Sequence, residues 1–158
     1  LEFLLEIIPS KVGPVDDMTT ARLIRRFYEI GVYPDWWKLE PMVNPAAWQN
    51  AVDAIEAHDA HTRGIVVLGL DAGEDALASC FAVAAQFPLV RGFAVGRTIF
   101  ADAARDWVAG QIGDDAAVAQ MAARYRRLCA IWDGARGAAP SGRAGQFTPG
   151  YLDQNESG

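Results

Sequence analysis

The sequence predicts an α/β chain that forms part of a (β/α)8 TIM barrel: about four βα units, read as the C-terminal half, plus a C-terminal helix. Three observations predict this. Short apolar runs recur at intervals of roughly 30 residues, the length of one strand, helix and strand unit: FLLEII (3–8), DWWKLE (35–40), GIVVLG (64–69) and VRGFAV (90–95). A segment with helical periodicity follows each run. The chain also opens on LEFLLEIIP, with no methionine and no polar lead-in, as expected of a fragment lacking an N-terminal half. Alternating strands and helices demand a parallel sheet, either open and doubly wound or closed into a barrel. Four units are half of the closed form.

Each element has its own local reason. The first helix follows VDDMTT, where Asp16 or Asp17 can cap; Leu23, Phe27 and Ile30 form the stripe and Gly31 ends it. The second opens with Asn44 as cap and Pro45 at its first position, and carries Trp48, Val52 and Ile55 on one face. The third, rich in alanine, runs from about Glu74 to Gln86 and stops before Pro88. A short helix is expected near 101–109. A longer one starts near Asp114, with Val118, Met121, Tyr125, Leu128 and Trp132 on one face. Residues 1–136 therefore read as the barrel portion. Residues 137–158, GAAPSGRAGQFTPGYLDQNESG, read as a flexible tail.

Composition narrows the function. Half of the residues are hydrophobic (51%) and 22% are charged, the profile of a globular domain with a real core. The net charge of −6, with no basic block, argues against nucleic acid or an anionic membrane as partner. Cys80 and Cys129 both sit in apolar helical patterns, which fits a reducing cytoplasm. No apolar run is long enough to span a bilayer, and no leader precedes the first strand, so the expected location is cytoplasmic.

In such barrels chemistry sits at the carboxyl ends of the strands, here Glu6 and Pro9–Lys11, Lys38–Pro41, Gly69–Gly73 and Gly96–Arg97. Side chains alternate along a strand, so Trp36, Lys38 and Glu40 share one face while Trp37 and Leu39 take the other. If Trp37 and Leu39 meet the helices, Lys38 points into the barrel mouth. An amine must be neutral to attack a carbonyl, and apolar surroundings favour that form. The competing reading has Lys38 paired with Glu40 or stretched to solvent. Glu6 lies inside the apolar strand LLEII, on the face of Leu4 and Ile8; it either shuttles protons or is satisfied by a structural lysine or arginine. Gly96–Arg97 ends the last strand, where a phosphate can approach the backbone, a helix start and a guanidinium; GLDAG at 69–73 makes a similar turn one strand earlier. His58 and His61 fall at the opposite end, without further ligands, so no metal is expected.

The segments LLEIIPSKVGPVDD, YPDWWKLEP, GIVVLGLDA and GFAVGRTIF resemble the 2-deoxy-5-keto-gluconate-6-phosphate aldolase domains, often fused behind a sugar kinase in myo-inositol catabolism. More distantly, they are similar to class I tagatose-bisphosphate aldolases, (β/α)8 enzymes with a Schiff-base lysine. That wider group carries LKVE, LEI and GR motifs, matched here by Lys38 in WKLE, Glu6 in LEI, and Gly96–Arg97. The resemblance implies a carbon–carbon lyase that needs no cofactor. Lys38 would form the imine, with Glu6 assisting proton transfer and Glu40 in support. Gly69, Gly96 and Arg97 would hold the phosphate of a phosphorylated keto-sugar acid. It also implies a covalently fused N-terminal kinase as a partner and leaves room for a homo-oligomer. The alternative is a non-catalytic phosphosugar-binding barrel domain attached to a 5-dehydro-2-deoxygluconokinase. A half-barrel made alone is expected to dimerise, aggregate or fold poorly, because its edge strands and inner face are open.

Overall fold

The computed structural model describes residues 1–70 and 72–137. The tail expected over 137–158 therefore falls, apart from Gly137, outside the described residues. Four strands, β1 (Leu4–Ile7), β2 (Trp36–Leu39), β3 (Gly64–Leu68) and β4 (Val90–Ala94), form one sheet in the order β1-β2-β3-β4. Every neighbouring pair is parallel. Helices α1 (Thr19–Glu29), α2 (Pro45–Glu56), α3 (Glu74–Ala84), α4 (Arg97–Val108) and α5 (Asp114–Ala135) make the connections and the C-terminal cover. This is the α/β arrangement of consecutive units from a (β/α)8-type barrel.

Strand parity places the core. Ile7, Trp37, Leu39, Ile65 and Val67 project outward and are buried against Ile24 and Tyr28 of α1, Trp48, Val52 and Ile55 of α2, and Leu77 and Phe81 of α3. Trp37 Nε1 donates to Tyr28 Oη at 3.0 Å, and the two rings meet edge to face. The β3–β4 pairing jumps from Ile65↔Val90 to Val66↔Gly92, so Arg91 is the extra residue of a bulge. The jump turns Phe93 outward onto Phe81 and Trp132 and leaves Ala94 opposite Leu68. Gly64 permits it: with φ of +135°, a Cβ there would stand 2.6 Å from the Leu89 carbonyl oxygen.

Local expectations fared differently. α2 starts as the sequence suggests: Asn44 Oδ1 accepts from the Ala46 N–H at 3.0 Å, and Pro45 is the first helical residue. In α1 the cap is Met18, which makes no side-chain cap bond; Asp16 instead accepts from the Met18 N–H and from the Thr19 hydroxyl. The buried row there is Thr20, Ile24 and Tyr28, while Leu23 and Phe27 flank it and Ile30 is exposed. Phe27 and Tyr28 both meet the Trp37 ring edge to face, but only Tyr28 also bonds its indole N–H. In α5, Leu128 and Trp132 are buried with Ala117, but Val118 and Tyr125 are exposed, since α5 packs on α3 and α4 rather than on a full sheet. α3 ends at Ala84, two residues before the expected Gln86. α4 begins at Arg97, not near 101, because Gly96 is its cap.

Candidate active site

Register brings the two charged strand residues together. Glu6 lies opposite Lys38 in the β1–β2 pairing, both on the inner face. Lys38 Nζ is 2.6 Å from Glu6 Oε2, with the lysine side chain 21% exposed and the glutamate 36%. Burying part of a charge costs less when an opposite charge stands within hydrogen-bond reach. The lysine thus pairs across the strands, not along its own strand with Glu40. Glu40, only 6% exposed, accepts instead from the Ser10 hydroxyl at 2.6 Å.

The ion pair forms one wall of a pocket of about 260 Å³. The loops after β3 and β4 and the start of α4 contribute Gly69, Leu70, Gly96, Arg97, Thr98 and Phe100 to the same lining. All five residues singled out from strand ends (Glu6, Lys38, Gly69, Gly96 and Arg97) line this space. Glu40 does not. Leu70 adopts φ of +47°, a left-handed conformation that costs a non-glycine residue roughly 1–3 kcal/mol and persists where the surroundings enforce it. The Thr98 hydroxyl donates to the Ala72 carbonyl at 3.2 Å, tying the first turn of α4 to that loop. The first N–H groups of a helix lack partners inside it and carry its positive dipole end, so the start of α4 suits an anion.

Glycine at 69 also has a packing reason. A Cβ there would stand 2.8 Å from Val95 Cγ1, so only glycine lets the β3 and β4 strand ends approach so closely. At Gly96 a Cβ would stand 3.3 Å from the Phe100 ring. Sequence reasoning included Leu70 within 69–73 but not its backbone conformation, and missed Thr98 and the Ser10–Glu40 contact. Positive φ at a leucine has no sequence signal, and Ser10 lies 30 residues from its partner.

Among the described residues, no group of three or more His, Cys, Asp or Glu side chains could hold a metal ion. His58 has another role: its Nδ1 lies 2.8 Å from the Ala54 carbonyl, and its ring stacks on Tyr28. Cys80 is buried and Cys129 half-buried, both as free thiols; burial pushes the Cys80 thiol up to about 11, well away from a reactive thiolate. No described helix is long and apolar enough to cross a membrane.

A family profile matches residues 1–136. The chain belongs to DUF2090, a family described as an uncharacterized protein conserved in bacteria. No curated protein matches the DUF2090 chain. Among solved structures it is similar to the fructose-bisphosphate aldolase of Plasmodium falciparum, solved as a ternary complex with TRAP and a small-molecule inhibitor. The TM-score is 0.53 at 14% identity, covering 82% of this chain and 44% of that one. The DUF2090 chain thus spans less than half the length of that enzyme, and the likeness is one of fold. It supports the expectation drawn from the aldolase resemblance at the coarse level of an aldolase-like, partial barrel.

Proposed function

We propose that this DUF2090 chain carries the imine-forming part of a Schiff-base aldolase. Its substrate would be 2-deoxy-5-keto-gluconate 6-phosphate, cleaved to malonate semialdehyde and dihydroxyacetone phosphate in cytoplasmic myo-inositol catabolism. The observation that carries this reading is the 2.6 Å Lys38–Glu6 pair on adjacent parallel strands, lining one pocket together with an anion-suited helix start.

The chemistry follows from that geometry. Glu6 takes a proton from the Lys38 ammonium, and the neutral amine attacks the C5 ketone. Glu6 returns the proton to the carbinolamine hydroxyl, which leaves as water, and the iminium forms. A base then removes the C3 hydroxyl proton; the C3–C4 bond breaks and its electron pair enters the enamine. Protonation at C4 and hydrolysis by water release dihydroxyacetone phosphate and free Lys38. Gly69, Gly96 and Arg97 hold the phosphate and so fix the ketone against the amine.

Borohydride reduction of the protein with dihydroxyacetone phosphate tests this directly. The sequence contains just two lysines, Lys11 and Lys38, so peptide mass spectrometry locates an adduct without ambiguity. The expected result is an adduct at Lys38, with cleavage falling roughly a thousandfold or more in Lys38→Ala. Phosphate binding with no adduct would instead favour a non-catalytic phosphosugar-binding domain attached to a kinase. The same ion pair supports that second reading, since a lysine held by a carboxylate can serve structure alone.

A further inference from the structure

Leu70 is a leucine where the backbone suits glycine or asparagine. The Ala72 N–H donates to the Gly69 carbonyl at 2.9 Å, closing a reverse turn with Leu70 at its second position. A positive φ there, +47° at Leu70, belongs to the primed turn types, which glycine, asparagine and aspartate dominate because other side chains are strained in it. The turn is pinned at both ends. A Cβ on Gly69 would stand 2.8 Å from Val95 Cγ1, and the Ala72 carbonyl accepts from the Thr98 hydroxyl at 3.2 Å. Core packing does not account for the leucine. Ala72 and Val95 pack against the buried cluster, but half-buried Leu70 is not among the residues that do. Leu70 instead lines the pocket that holds Lys38 and Arg97, together with the apolar Leu68, Ala94 and Phe100. A strained residue that the core does not use, on the wall of a pocket, points to contact with a ligand.

We propose that Leu70 is a specificity-determining residue of this pocket, kept in its strained turn so that an apolar side chain meets the carbon chain of a phosphorylated ketone. The inference rests on the phosphosugar reading above and deepens it. It requires the ligand to bind here but does not require the imine to form. The lining is mixed. Lys38 and Arg97 contribute hydrogen-bond donors, while Leu68, Leu70, Ala94 and Phe100 contribute apolar surface. Such a lining suits a short carbon chain with an anionic group at one end better than it suits a free anion, which would leave the apolar surface without a partner. The left-handed turn is the device that sets the leucine there, because Gly69 and Ala72 on either side are held by Val95 and Thr98.

Leu70→Asn and Leu70→Met are compared with the unaltered protein. Asparagine tolerates the left-handed turn but is polar; methionine is as strained as leucine but stays apolar and of similar volume. Dihydroxyacetone phosphate is the probe. Titration calorimetry gives its dissociation constant, borohydride trapping its half-saturating concentration, and Tm is recorded for each protein. For Leu70→Asn the expected result is affinity weakened about three- to tenfold, at a Tm equal to or above that of the unaltered protein. Leu70→Met is expected to stay within about twofold of the unaltered affinity. Unchanged affinity in Leu70→Asn overturns the proposal, whatever the Tm. A lowered Tm alongside the lost affinity also overturns it, since the leucine would then serve the fold. So does an equal loss in Leu70→Met, which would take apolar character out of the account. Binding without an adduct in the unaltered protein removes the imine reading and leaves Leu70 to be judged by calorimetry. Neither binding nor adduct in the unaltered protein overturns both.

Discussion

Trp37 Nε1 donates to the Tyr28 hydroxyl at 3.0 Å, inside a core where Trp37 has no exposed surface. This contact joins β2 to α1, and so backs the strand that carries Lys38. Tyr28→Phe leaves a buried indole N–H without an acceptor, and the expected loss is about 1–3 kcal/mol. Denaturant unfolding of the two proteins measures it; equal midpoints would show that the bond is replaced elsewhere.

The same tyrosine makes stability depend on alkaline pH. Burial pushes its hydroxyl up from the ordinary 10.0 to about 12. Between those values the unfolded chain has released a proton that the folded chain retains, so stability falls as pH rises. The contribution is whole below about 10 and gone above about 12. Melting curves from pH 9 upward are expected to converge for the unaltered protein and Tyr28→Phe, because the variant lacks this component. Parallel curves would count against it.

Gly69 and Val95 hold the strand ends together. A Cβ at residue 69 would stand 2.8 Å from the stiff, branched Val95 side chain. Gly69→Ala is expected to cost roughly 1–3 kcal/mol, with much of it recovered in the double variant with Val95→Ala. Additive losses in that double-mutant cycle would disprove the steric account.

Among the described residues, β1 and β4 each leave one strand edge without a partner, and Phe3 and Leu4 are exposed large apolar side chains. Open parallel edges beside apolar surface favour association. The 158-residue chain produced alone is expected to dimerise or aggregate at micromolar concentration, as sedimentation velocity would record. A monodisperse monomer would refute this.

How much of the site could be read in advance depended on distance along the chain. Parity within WWKL separates Trp37 and Leu39 from Lys38, and that separation holds: the first two are buried against helices while the lysine faces the pocket. Asn44–Pro45 announced α2 because the cap is a local hydrogen bond. The start of α4 was read four residues late, because Gly96 offers no side-chain acceptor to mark it. The α1 stripe lies one row from the expected one, since its sequence is apolar on adjacent rows and the rows differ only in tertiary contacts such as the Tyr28–Trp37 hydrogen bond.

WWKLEP illustrates the division. The sequence by itself determined the βα repeat, the face each residue of WWKL takes, and the strand ends where chemistry gathers. Those follow from backbone periods of about 2 and 3.6 residues, which every short segment carries within it. Only the tertiary structure decided that Lys38 meets Glu6 while Glu40 turns to Ser10. Both choices depend on the register of β1 against β2 and on the turn after β1. Register is set by contacts between segments 30 residues apart, and the periodicity of neither segment contains that information.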